Sequence, residues 1–200
     1  PYSGSKASAE LLVKSYISSF FSNNKTGIRI ATARAGNVIG GGDWADDRLV
    51  PDALLALQKG LPISVRNPNA IRPWQHVLEP LAGYLILAQK LFESGGEFAE
   101  AWNFGPQDED AKSVGWLASK LATCWGQDAS WISTTGDYPH EANFLKLDIS
   151  KATARLNWRP QWNLDECVSR TVVWHKLWFD KTSARQLCLN EINEFSRMEE

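Results

Sequence analysis

The sequence is poor in the residues that usually announce a function. It has three histidines and three cysteines in 200 residues. The cysteines, Cys124, Cys167 and Cys188, are odd in number, and their spacings match no metal or redox motif. They read as small apolar packing groups in a reducing cytoplasm. Neither sign of charge dominates. Lys and Arg number 21 against 23 Asp and Glu, for a net charge of -2 without a basic stripe, which argues against nucleic acid as the main partner. No apolar run approaches the ~20 residues that a membrane helix needs, so no membrane partner is expected. The longest, LAGYLILAQKLF, is broken by Gln89 and Lys90. There is no signal-peptide pattern and no initiator methionine, the only methionine being Met198. The expectation is a chain that does not start where its gene starts. One glycosylation triplet, Asn24-Lys25-Thr26, stands without any other sign of secretion.

What remains is an ordinary globular composition, 44% apolar and 22% charged, in a chain long enough to bury one core. Tryptophan is the outlier at ten residues, and most of these read as packing anchors. Trp174 and Trp178 share a helix face at i, i+4, and Trp116 and Trp125 sit on another helix. Trp74, beside Arg72 and Pro73, is the one that points towards a site.

Hydrophobic periodicity predicts a helix over 3–21, with Leu11, Leu12, Tyr16 and Phe20 on one face. GIRIATARAGNVIG reads as one strand with a glycine-rich exit. A helix follows in LVPDALLALQKG, then a short strand in PISVRN, then a turn and loop in NPNAIRPW. HVLEPLAGYLILAQKLFES is a strong helix, AWNFG a strand, SVGWLASKLATCWG a helix and SWIST a strand. A short helix lies in FLKLDISKATARLNW, with Asp148 as its N-cap. Asn163 to Glu166 form a capping box for a helix through Phe179, and a last helix follows Thr182. The alternation of helix and strand predicts an α/β fold with a parallel sheet.

Tyr2 and Lys6 are the first chemically suggestive pair. Four apart on a helix, they lie one turn apart on one face. A phenol ionises near pH 10 in water, and a neighbouring ammonium stabilises the phenolate and lowers that value. Such a phenol can serve as general base towards an alcohol. By itself the spacing is common on solvated helix faces. The context adds weight. Small residues (Ser3, Gly4, Ser5, Ala7, Ser8, Ala9) allow close approach, and the next strand ends in Asn37 and a run of glycines. The carboxyl end of a strand in an open parallel sheet is where ligands bind, and glycine backbone N–H groups can face an anion there.

Together PYSGSK, RAGNVIG, DDRLVPD, RNPNAIRPWQHVLEPLAGYL and AWNFGP resemble the extended short-chain dehydrogenase/reductase family, and within it the nucleotide-sugar 4,6-dehydratases that act on CDP-glucose. The likeness runs from Pro1 to about Trp178. It implies the C-terminal part of a Rossmann-like NAD-binding parallel sheet plus a smaller α/β substrate-binding domain. Residues 1–45 would end the NAD-binding part, 46–180 would be mainly substrate domain with a strand and helix returning to the first, and 181–200 would be a C-terminal helix. Tyr2 would be the catalytic base, and Lys6 would bind the nicotinamide ribose of NAD and depress the tyrosine pKa. Asn37, Arg48, Arg72 and Asn103 would contact the substrate, with Arg72 gripping the diphosphate through its planar fork. Tyr138 and His140 fall in the segment GDYPHEANFLKLD, which lies at the nucleobase in related thymidine-sugar dehydratases. His76 reads as structural, at a helix start. No metal is implied.

The implied reaction oxidises C4 of the hexose, loses water across C5 and C6, and returns the hydride to C6. The glycine-rich NAD fingerprint and the elimination acids are expected upstream of Pro1, and the chain alone is expected to lack turnover. The complete enzyme is expected to be a homodimer or higher homo-oligomer. Two readings stay beside this one: a nucleotide-sugar 4-epimerase using the same Tyr/Lys pair, and a noncatalytic sugar-nucleotide-binding module.

Overall fold

Small residues open the chain and apolar ones follow at helical spacing. In the computed structural model they form helix α1 (Tyr2–Tyr16), continued by a turn of π-helix over Ile17–Phe21. The structure describes residues 2–21, 27–126, 128–134 and 143–197. After α1 come β1 (Thr32–Ala35), β2 (Asn37–Ile39), α2 (Leu49–Gln58), β3 (Ile63–Val65), β4 (Ile71–His76) and α3 (Leu78–Ser94). They are followed by β5 (Ala101–Phe104), β6 (Ala111–Ser113), α4 (Val114–Trp125), β7 (Trp131–Ser133), α5 (Ser150–Leu156), α6 (Leu164–Phe179) and α7 (Ala184–Ser196). Strands β1 and β5 pair in parallel, as do β2 with β4 and β3 with β7, while β6 joins β4 antiparallel. The fold is α/β with mainly parallel pairing, as the alternating pattern predicts.

Three local expectations are corrected. The single strand over 27–40 is two strands in two different sheets, because the chain steps sideways at Gly36. A Cβ there would collide with the Pro73 carbonyl, so only glycine makes the crossing. NPNAIRPW is not all loop, since β4 begins at Ile71. Pro73 is the last β4 residue paired with β6, and the pairing with β2 begins at Trp74, so the proline stands at a ladder end, where its missing N–H is tolerated. Ile149, not Asp148, is the cap residue of α5, although the Asp148 carboxylate accepts the Ser150 N–H at 2.8 Å. Asn163 caps α6 as expected, accepting the Glu166 N–H at 3.0 Å.

Burial is divided between two clusters. In the larger, Leu54, Val65, Leu117, Leu121, Val168 and Val172, all fully buried, gather α2, β3, α4 and α6. In the smaller, Trp102 and Phe104 of β5 meet Leu87 of α3, Leu156 of α5 and Trp158. The Phe104 and Trp158 rings meet edge-to-face, with centroids 5.0 Å apart. Each such side chain contributes roughly 1.5–3 kcal/mol through the apolar area it hides from water.

Beside the cores lies a knot of buried and half-buried titratable groups. Glu79 is fully buried and accepts the Trp162 and Gln161 N–H groups at 2.8 and 3.0 Å. Burial pushes its carboxyl up to about 7 against those two hydrogen bonds. His76 is pushed down to about 4 by burial and then by the Arg170 cation. Its Nε2 lies 3.8 Å from the Glu191 carboxylate of α7, too far for a hydrogen bond. Burial pushes Glu191 up to about 7, with Arg170 opposing and Glu194 adding.

Glu191 and His76 make opposite contributions to pH dependence. The folded-state pKa of Glu191 is raised, so its share of stability is complete below pH 4.5 and is lost as pH climbs through about 7. Neutral His76 loses its share as pH falls from 6.5 through about 4. Glu191→Gln isolates the first effect. Urea titration is expected to find the variant within about 1 kcal/mol of its parent at pH 5 and more stable by roughly 2–3 kcal/mol at pH 8. Equal stability at both pH values would show that Glu191 is not held protonated.

Candidate active site

A cleft of about 1010 Å³ opens where β2 ends, β4 begins, and α2 and β3 approach from another side. This is the size of a ligand site for a molecule with several parts. Its floor is apolar, built by Val38, Val50, Pro51 and Trp74. Asn37, Arg48 and Arg72, three of the residues read from the sequence as substrate contacts, line it together, as does Trp74. Pairing of β2 with β4 sets Asn37 opposite Trp74, which brings Arg72, two residues earlier on β4, to the same mouth. Arg48 stands in extended conformation directly before α2, and its carbonyl accepts the Asp52 N–H at 3.0 Å. The half-buried Arg72 donates from Nη1 to the Ile71 carbonyl at 3.0 Å.

The glycine-rich exit from β2 is held open by an aromatic wall. A Cβ at Gly41 would land inside the Trp174 indole, and Gly42 turns with φ 82°. The loop continues through Asp43, whose carboxylate accepts the Ala45 N–H at 3.0 Å, and through Trp44, whose ring lies 4.4 Å from that of Trp178 and 5.1 Å from that of His175. His175 reaches the cleft from α6 but is anchored from Nδ1 to the Thr171 carbonyl at 2.8 Å, and burial lowers its pKa.

The other residues read from the sequence are Tyr2, Lys6, Asn103, Tyr138 and His140. Tyr2 opens α1, and Lys6 is exposed one turn on. The helix is fastened to β1 by Glu10, which pairs with Arg34 at 2.8 Å and accepts the Thr32 hydroxyl at 2.9 Å. Asn103 does not line the cleft. Its amide is engaged on both sides, accepting from Arg34 and donating to the Asp148 carbonyl, each at 3.1 Å. Tyr138 and His140 lie outside the described residues. His76, expected at a helix start, ends β4 and is fully buried, and among the described residues no His, Cys, Asp and Glu cluster has the geometry of a metal site.

Arg66 and Asp52 are among the lining residues that escaped the sequence reading. Arg66 directly follows β3, and Asp52 stands in the first turn of α2. Burial raises the Asp52 pKa, Asp47 and Asp46 add to the effect, and the positive charge of Arg66 opposes it. A signal for Arg66 was present, because it directly follows the carboxyl end of a strand, whereas Asn37, expected at a strand exit, is the first residue of β2.

No family model matches the chain. It is 52% identical over 181 residues to CDP-glucose 4,6-dehydratase of Salmonella typhimurium, covering 89% of this chain and 50% of that protein. It is 25% identical to dTDP-glucose 4,6-dehydratase of Streptomyces antibioticus, over 88% of this chain and 49% of that one. The chain thus spans about half the length of both. In fold it resembles UDP-glucuronic acid 4-epimerase from Bacillus cereus, solved with UDP-glucuronic acid and NAD (TM-score 0.74, 20% identity, 89% of this chain and 53% of that one). It also resembles dTDP-glucose 4,6-dehydratase from Bacillus anthracis, solved with NAD (TM-score 0.67, 18% identity, 88% and 52%). Identity of 52% over this span marks the chain as a homologue of the Salmonella dehydratase.

The packing of Gly41 on Trp174 yields a test of how the cleft rim is built. Gly41→Val forces the indole out of its place, and a loss of roughly 1–3 kcal/mol in urea titration is expected. An unchanged urea midpoint would show that the loop can shift without cost.

Proposed function

We propose that this chain supplies the Tyr/Lys pair and most of the nucleotide-sugar site of an NAD-dependent CDP-glucose 4,6-dehydratase. The carrying observation is the single cleft that gathers Asn37, Arg48 and Arg72. Guanidinium groups around an apolar floor suit a ligand with a charged diphosphate between two uncharged ends. Arg72 grips the diphosphate, and Asn37 donates to it from the strand end. The product is a CDP-4-keto-6-deoxyhexose. The smaller core cluster, with α1 and β1, belongs to the cofactor side, and the larger to the substrate side.

The start of α1 fits one edge of NAD. Residues 3–9 are exposed, and a carbon added at Gly4 would meet nothing within 4 Å, so a ribose can come close to Lys6. Lys6 would hold the nicotinamide ribose of NAD, and the cofactor would supply reversible hydride transfer, accepting at C4 of the hexose and giving back at C6. Tyr2 takes the proton of the C4 hydroxyl, and Lys6 lowers the phenol pKa so that it can do so at neutral pH. The complete enzyme works in the cytoplasm as a homo-oligomer.

The fold is equally that of 4-epimerases, so the product decides. Incubating the full-length protein with CDP-glucose is expected to give a product whose NMR spectrum carries the methyl signal of a 6-deoxy sugar. CDP-galactose instead would favour the epimerase reading. In the same protein, Tyr2→Phe is expected to abolish turnover while leaving CDP-glucose affinity nearly intact, because the phenol acts in the chemical step. Arg72→Ala is expected to raise KM by about tenfold or more through loss of a charge-assisted phosphate contact. Near-normal kcat in the first variant, or unchanged KM in the second, would remove that residue from its role.

A further inference from the structure

We propose that Asp52 and Arg66 read the nucleobase, as an acceptor and donor pair matched to cytosine. The inference rests on the nucleotide-sugar reading above. Both residues line the cleft, yet neither belongs to the elements that carry Asn37 and Arg72. Asp52 is on α2, and Arg66 follows β3. This helix and strand are packed into one unit, with Leu54 and Leu57 in the same buried cluster as Ile63 and Val65. The two side chains lie close enough for the Arg66 charge to act on the Asp52 carboxyl.

The direction of a bound nucleotide sugar follows from the topology. The Tyr2–Lys6 helix is fastened through Glu10 to β1, and β1 leads directly into Asn37. The reacting hexose therefore belongs to the β1–β2 side. With Asn37 and Arg72 on the diphosphate, the base falls to the remaining polar wall, where α2 and β3 present Asp52 and Arg66.

Cytosine offers an amino donor at C4 and acceptors at N3 and O2, whereas uracil and thymine offer a C4 carbonyl and an N3–H. A carboxylate can only accept and a guanidinium can only donate. Asp52 therefore takes the cytosine amino group while Arg66 donates to N3 and O2. Against uracil the carboxylate would face a carbonyl and the guanidinium an N–H, two repulsive pairings that enforce the choice.

Calorimetric titration of the full-length protein with CDP and with UDP tests this. The parent is expected to prefer CDP by about tenfold or more. Asp52→Asn, whose amide can turn its NH2 towards a carbonyl, is expected to weaken CDP, spare UDP and bring the two within about twofold. Arg66→Lys keeps the charge but loses the fork, and is expected to weaken CDP more than UDP. Retained UDP binding shows that each variant is folded. Equal losses for both nucleotides in either variant would make that residue a phosphate contact and overturn the inference, as would unchanged affinities or a parent without preference. If the parent binds neither nucleotide, the nucleotide-sugar reading itself fails, and this inference with it.

Discussion

The carbonyl oxygen of Phe104 accepts two hydrogen bonds, one from the Gly36 N–H at 3.2 Å and one from the Gln75 side-chain amide at 2.8 Å. Gly36 is where the chain leaves β1, Gln75 lies in β4 and Phe104 ends β5, so one atom fastens two sheets together. A carbonyl has two lone pairs and can hold both donors. Phe104 and Gln75 are buried, and leaving a buried partner unpaired costs about 1–3 kcal/mol. The Pro73 carbonyl fills the space where a Cβ at position 36 would go. The chain therefore changes sheets at one glycine, and the positions of Asn37 and Arg72 follow from that step.

The cleft combines charges that the chain as a whole nearly balances. Arg48, Arg66 and Arg72 arrive from three different parts of the sequence and meet Asp43, Asp47 and Asp52 around an apolar floor. The cleft therefore carries both signs of charge on its walls. Trp174, Trp44 and Trp178 serve this arrangement from behind, by shaping the loop after β2.

The buried His76 and Glu79 and the half-buried Glu191 have displaced pKa values without any part in the cleft. Perturbed titration often marks a functional site, but here desolvation at the junction of α3, α6 and α7 accounts for it. Glu79 satisfies two backbone N–H groups at the Gln161–Trp162 segment leading into α6, and Arg170 spans Glu166, Glu194 and the Trp162 ring. These groups fasten the C-terminal helices to the remainder of the chain.

Much of this was legible in one dimension. Helices α2, α3, α4, α6 and α7 follow from periodicity and caps, because those signals are local and each helix satisfies its own backbone. Asn37, Arg48, Arg72 and Trp74 were legible as cleft residues from short motifs. The sequence by itself determined the α/β class, the helices and the charged and amide residue types available to the cleft. Tertiary structure alone decided that 27–40 is two strands, that Pro73 sits within a sheet, that Asn103 is tied to Arg34 and Asp148, and that Arg66 and Asp52 share the cleft. Each of these depends on partners roughly 14 to 70 residues away in the chain, and strand pairing and charge proximity leave no local periodicity from which to read them.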